Sequence, residues 1–163
     1  MGGTPGSGKT TLAREIARRL GFALVEKDDV KEAIADVLGM GDRERSRELG
    51  RAAFEVMRSV AKRSLASGAA LVLEGNFTRE RSEPWLRELT ALADARVVLC
   101  RTPKDRERFA NRAGTRHSVH LDDLAYDWVP ASEFALGLDV PMLEVDTTEG
   151  YVPNIETIIR FIA

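Results

Sequence analysis

Gly3-Thr4-Pro5-Gly6-Ser7-Gly8-Lys9-Thr10-Thr11 is the stretch that decides the fold. The glycines at positions 3, 6 and 8 let the backbone turn so that successive N–H groups point at one anion. The helix that follows adds its positive N-terminal end to the same place. Lys9 can then reach phosphate oxygens in the cradle, and the Thr10 hydroxyl can coordinate magnesium bound to them. Gly3, Gly6, Ser7, Gly8, Lys9, Thr10 and Thr11 are therefore the expected nucleotide-binding residues, ATP and Mg2+ the expected ligands, and Lys9 an expected participant in catalysis.

Outward from the loop, Leu12, Ile16 and Leu20 recur at four-residue steps beside Ala13 and Ala17 until Gly21 stops them, so residues 10–20 read as an amphipathic helix. Phe22 to Val25 reads as a short buried strand. Helical spacing returns through Val30, Ile34, Val37 and Leu38, and again from about Asp42 to Ser67 through Leu49, Ala53, Val56, Val60 and Ser64. Apolar runs at 69–73, 95–100 and 140–145 are continuous rather than alternating, as strands covered on both faces are. Helices separate them: one near Ser82 with Pro84 in its first turn and Trp85, Leu89 and Leu92 inward, and one from Thr102 with Pro103 in the first position. The last carries Ile155, Ile158, Ile159 and Ile162. Alternating strand and helix predicts a P-loop α/β fold, a parallel sheet with helices on both faces in three α/β/α layers. The strand that should run into the glycine loop is missing, since only Met1 and Gly2 precede Gly3. Either the chain starts downstream of its natural start or the sheet lacks a central member, and the intact appearance of the rest favours the former.

A chain of 163 residues, 44% hydrophobic and 31% charged, suits one domain spanning 1–163, and no repeat or linker divides it. The formal net charge of −2 argues against a general nucleic-acid or anionic-membrane binder, so any anion site must be local. A single cysteine, Cys100, excludes an internal disulfide framework, and no signal peptide or membrane-length apolar run is present. A soluble cytoplasmic protein is expected.

Four further features carry chemistry. Asp28 and Asp29 follow the second strand, at the carboxyl edge where α/β sheets bind ligands. Asp29 with Glu32 can form an N-cap and capping box. Asp28, which has no such duty, is the candidate to take a proton from an attacking hydroxyl. Glu74 ends the strand at 71–73 as a candidate metal ligand, with Asn76 turning the chain across the site edge. From Arg101 to Arg116 the basic residues outnumber the acidic ones. Arg108 and Arg112, four apart, are the candidate arginines of a mobile lid over about 101–120 that closes on the transferring phosphate, with Arg116 and His117 as further acceptor contacts. His117 and His120 with Asp122 and Asp123 fit no common structural metal spacing.

On GTPGSGKT, DDVK, LVLEGNFT, ERFANRAGTRH and VDTT, which span almost all of the chain, the sequence resembles the small P-loop kinases. These are AAA-type ATP-binding proteins such as polynucleotide 5′-kinase, chloramphenicol phosphotransferase, gluconate kinase and the zeta-toxin-like kinases. The resemblance implies that Asp28 is the general base, that Lys31 stands where an arginine holds substrate phosphate, that Glu74 takes the Walker B position, and that Asp146-Thr147-Thr148 borders the adenine. Lysine at 31 loses the bidentate fork of arginine. The expected activity is transfer of the γ-phosphate of ATP to a hydroxyl of a small molecule. The alternatives are a polynucleotide 5′-hydroxyl kinase, against which the acidity of the chain argues, and a regulatory module that binds nucleotide without catalysis.

Overall fold

The structure, a computed structural model, describes residues 1–121 and 128–163. Its strands are β1 (Gly2–Gly3), β2 (Ala23–Glu26), β3 (Leu71–Glu74), β4 (Val97–Arg101) and β5 (Met142–Asp146). The helices are α1 (Lys9–Leu20), α2 (Lys27–Leu38), α3 (Arg43–Ala66), α4 (Arg79–Thr90), α5 (Asp105–Asn111) and α6 (Ile155–Ile162), with 3-10 turns at Ser118–His120 and Ala131–Phe134. No helix among the described residues is long and apolar enough to cross a membrane.

All strand pairs are parallel. β4 lies between β1 and β5, with Gly3 opposite Cys100 and Arg101 opposite Asp146, while β2 pairs with β3 so that Glu26 lies opposite Glu74. Met1 joins the two groups. Its nitrogen donates to the Leu73 carbonyl (3.0 Å) and its carbonyl accepts from the Gly75 N–H (3.3 Å), the pattern of a parallel ladder step. The resulting order is β2-β3-β1-β4-β5. The strand expected to be missing before the loop is thus found as β1, because a ladder step needs only backbone groups and Met1-Gly2-Gly3 supply them.

The central strands alternate their side chains between two apolar layers. On one face Leu12 and Ile16 of α1 pack with Val98, Cys100, Val145 and Ile158, and the partly buried Val72 joins them. On the other, Met57 and Ala61 of α3 pack with Phe77, Trp85, Leu86 and Leu89, against Val25, Leu71 and Leu73. A smaller cluster of Ala35, Leu49 and Val119 binds α2, α3 and the turn at 118–120.

Several local expectations change. α2 starts at Lys27 with Glu26 as its cap, so Asp28 lies inside the first turn rather than before the helix, and Asp29 is not the N-cap. The reason is that β2 runs directly into α2, leaving no loop for Asp29 to end. In α3 the buried stripe is Leu49, Ala53, Met57 and Ala61, whereas Val56 and Val60 are exposed: the small alanines let α3 approach the sheet, and the branched residues fall off that line. Val37, Leu38 and Leu92 are exposed as well. α4 begins at Arg79, a turn earlier than Pro84 suggested, so the proline sits inside the helix. α5 begins at Asp105 rather than Thr102, whose hydroxyl accepts from the Lys104 N–H (3.2 Å) and ends a short turn first. Asp122 and Asp123 lie outside the described residues.

Trp85 sets a test of this packing. It is 7% exposed, edge-on to Phe77 at 5.8 Å and tilted against Phe54 at 6.3 Å. Trp85→Ala should cost about 3–4 kcal/mol, the cost of emptying a large aromatic site, read as a lower urea midpoint with an unchanged m-value.

Candidate active site

The glycine loop connects β1 to α1 at the point where the strand order reverses, the usual binding position in an open α/β sheet. Gly6 and Gly8 take φ of 84° and 75°, a region costly for any residue with a Cβ. Gly6 also meets a neighbour: a Cβ there would lie 2.0 Å from the Asp105 carbonyl oxygen. The Ser7 N–H closes the turn onto the Thr4 carbonyl (3.1 Å), and the Thr147 hydroxyl donates to the Ser7 carbonyl (2.7 Å). The Ser7 hydroxyl is fully buried with no hydrogen-bond partner among the described residues. At the start of α1 the N–H groups of Lys9, Thr10 and Thr11 have no intrahelical acceptor, so the loop offers a backbone cradle for an anion.

Lys9 folds back over this cradle. Its ammonium donates to the Thr4 carbonyl (3.3 Å) and stands 3.9 Å from Glu74. Burial holds it below the usual lysine range, with Glu74 and Asp28 opposing and Arg112 reinforcing the shift. Glu74 is 3% exposed, and burial raises its carboxyl above the usual range against the pull of Lys9. Both charges are thus poorly solvated, and an incoming phosphate would supply Lys9 with the counter-charge that Glu74, at this distance, gives incompletely. Thr10 and Glu74 present oxygen donors, the kind a magnesium ion takes. No group of three or more His, Cys, Asp or Glu among the described residues could hold a metal alone, so a metal here would need phosphate oxygens as well.

A row of carboxylates extends from the loop along the β2 edge. Glu26, buried, receives both arms of Arg14 at 2.8 and 2.7 Å. Asp29, beside it, is pushed up to about 6 by burial and by its hydrogen bond and charge contact with Glu26, which Arg14 only partly offsets. Asp28 differs. Burial would raise it, but Lys27, His120 and Arg116 outweigh that and hold it far below the usual carboxylate range. Lys27 meets one of its oxygens at 2.9 Å and Arg116 the other at 2.7 Å.

The remaining expected residues divide into two groups. Arg108 donates to the Thr147 and Thr148 carbonyls at 3.0 and 2.8 Å and lies close to Gly8, so it joins the loop after β5 to the start of α1. Arg112 caps the C-terminal end of α5 and is near enough to Lys9 to depress it. Asn76, half-buried, follows β3 at the sheet edge. On the other side, Arg116 and His117 come down on α2, and Lys31 donates to Ser46 (2.7 Å) and the Val119 carbonyl (3.2 Å). Lys27 and Arg14 have no role in the reading of the sequence. Only Lys27 left a signal there, as the cation next to the candidate base. A separate cavity of about 510 Å3, lined by Thr4, Leu99, Pro103, Phe134 and Val152, lies behind the loop and includes neither Lys9 nor Asp28.

Fold and loop together define a P-loop kinase-like, nucleotide-binding protein. The chain belongs to the AAA domain family, whose model matches residues 1–129. A solved structure described as a "putative kinase" from Chloroflexus aurantiacus J-10-fl is similar at a TM-score of 0.80 and 30% identity, over 98% of this chain and 92% of that one. A shikimate kinase of Paracidovorax citrulli is 37% identical over 92 residues, 48% of each protein. An uncharacterized protein of Mycobacterium tuberculosis is 28% identical over 134 residues, 77% of this chain and 26% of that protein. The chain thus matches about a quarter of the length of its mycobacterial relatives.

Two glycines with left-handed backbones separate the loop's packing from its conformation. Gly68, at φ 77°, has nothing within 4 Å of a Cβ, so Gly68→Ala should cost only the conformational penalty of about 1–2 kcal/mol. Gly6→Ala adds a backbone collision and should lower the melting temperature further. It should also lose nucleotide binding, which Gly68→Ala should retain. Thermal melts and nucleotide titrations of both variants check the comparison.

Proposed function

We propose that this protein transfers the γ-phosphate of ATP to a hydroxyl group of a small-molecule acceptor, with Mg2+ held between the nucleotide, Thr10 and Glu74. The observation that carries this reading is the largely buried Lys9, folded over a backbone cradle at a helix N-terminus with Asp28 charge-coupled to it. The resemblance to a shikimate kinase favours a small acceptor over a nucleic-acid end.

In this reading Gly3, Gly6, Ser7 and Gly8 hold the phosphate chain by their backbones, with Thr10 and Thr11 at the start of α1, and Lys9 neutralises the β- and γ-phosphates. Thr10 and Glu74 would hold a magnesium ion, which would supply charge neutralisation. Arg108 secures the nucleotide side and Arg112, beside Lys9, faces the charge that develops during transfer. Residues 101–120 act as the lid of a single cytoplasmic domain, and Lys31, Asn76, Arg116 and His117 border the acceptor. Asp28 accepts the acceptor's proton. A carboxylate held between two cations is a weak base, so its first task is to orient the hydroxyl for in-line attack, with proton transfer following as the bond to phosphorus forms.

Labelled ATP, offered in single turnover to pooled hydroxyl-bearing metabolites and to 5′-hydroxyl oligonucleotides, tests the assignment. Label appearing only in the oligonucleotides would give the polynucleotide reading, and label in neither would leave a nucleotide binder. Lys9→Ala should lose ATP·Mg binding by calorimetry. Asp28→Asn should keep ATP affinity and lose transfer by about 100-fold, the scale of a positioned base. Arg112→Ala should lower the transfer rate more than the ATP affinity, as a contact made chiefly in the transition state does.

A further inference from the structure

Asp28, Glu32 and Asp36 follow one another at four-residue steps along α2 and form one acidic stripe, each one turn from the next. A single short segment meets all three. Arg116 lies 2.7 Å from Asp28, His120 Nε2 lies 2.7 Å from Glu32, and His117 Nε2 lies 3.1 Å from Asp36. The His117 Nδ1 accepts from the Val119 N–H (3.1 Å), which leaves Nε2 to carry the proton donated to Asp36. Between these contacts the Val119 carbonyl accepts from Lys31 (3.2 Å) and Ser46 (2.6 Å), and its side chain, 1% exposed, fills the cluster with Ala35 and Leu49. Of the three carboxylates only Asp28 belongs to the site already described.

We propose that Glu32 and Asp36 are positioning residues for the acceptor half of the site: by gripping His120 and His117 they seat residues 116–120 on α2 and thereby set Arg116 on Asp28. The proposal rests on the reading of Asp28 as the base. It gives the Arg116 contact a function, because a seated guanidinium fixes the direction of the Asp28 carboxylate while reducing its basicity, and an unseated one frees it. Acceptor entry beside Asp28 must compete with the same guanidinium, so the strength of the outer two grips sets how easily that competition is won.

Seating is also sensitive to acid. His120 faces Lys27, Asp28 and Glu32 from α2 and Arg116 from its own segment, and α3 contributes the uncharged Ser46 to the junction. Burial, more than any other cause, lowers His120 below the usual histidine range. Asp28 and Glu32 oppose that shift, while Arg116 and Lys27 add to it. The released segment therefore binds a proton more readily than the seated one. Seating is complete above the ordinary histidine value of about 6.5 and is lost as pH falls through the lower, seated value.

The chain has two histidines, and both stand in this segment, so proton NMR reads them without interference. The full chain, the variants Glu32→Gln and Asp36→Asn, and their combination are titrated from neutral to acid pH. Amide hydrogen exchange over 116–121 and the carbon signal of the Asp28 carboxyl, identified by its loss in Asp28→Asn, are followed in parallel. In the double variant, exchange over 116–121 should quicken by about tenfold and His120 should titrate closer to the ordinary value. The Asp28 carboxyl should move up by about one pH unit as its cation leaves. ATP affinity should stay within about twofold, since Glu32 and Asp36 hold His120 and His117 rather than the glycine loop. Unchanged exchange in the double variant would show that Glu32 and Asp36 do not seat the segment. Faster exchange with an unmoved Asp28 signal would show that seating does not act on Asp28, and either result overturns the proposal. A transfer-competent Asp28→Asn would instead remove the base assignment and leave the NMR outcome standing.

Discussion

Two backbone hydrogen bonds at Met1 connect the halves of the sheet, one to the Leu73 carbonyl and one from the Gly75 N–H. The glycine loop begins two residues later, so the position of the phosphate cradle depends on this narrow junction. α1 reinforces it by packing against β2 and β3 with one part of its surface and against β4, β5 and α6 with another. Glu74, directly before Gly75, is held in place by the same step, and with it the partner of Lys9. Sheet closure and charge placement at the site are therefore one constraint rather than two.

The charges around the loop are unequally compensated. Lys9 is largely buried and Glu74 fully so, at a separation too long for a direct hydrogen bond, and each is shifted toward its neutral form. Asp28 is the opposite case, with a cation at each oxygen. A site of this kind gains most when a polyanion enters, because the cations near the loop then have a partner that water no longer provides.

How legible this was in the sequence follows from where the information is local. The glycine loop carries its own conformational signature, and Lys9 and Thr10 follow from it by spacing alone. The parallel strands showed as continuous apolar runs because both faces are covered. The two-residue β1 did not show, since Met1-Gly2-Gly3 has no apolar pattern and pairs only through its backbone. The caps of α2 and the start of α5 were misplaced because a strand running directly into a helix, and a turn closed by the Thr102 hydroxyl, are decided by the chain's path in three dimensions. The buried line of α3 depended on which residues could be small enough to let it near the sheet, and the valines drew the reading to the wrong side. The acidic stripe on α2 meets partners that lie 81 to 88 residues away, a pairing that only the fold can make.

The absence of a side chain at Gly6 has a mechanical consequence for α5. The carbonyl of Asp105, its first residue, rests where that side chain would be, so the base of the helix is pinned against the glycine loop. A helix of seven residues is about 10 Å long, and any swing about a pinned base moves its far end most. Arg108, one turn from the pivot and tied to the Thr147 and Thr148 carbonyls, would hardly shift, whereas Arg112 sits at the tip of the lever. The two arginines, equivalent by spacing, thus differ in place: Arg108 is tied down near the pivot, and such a swing would carry Arg112 farthest.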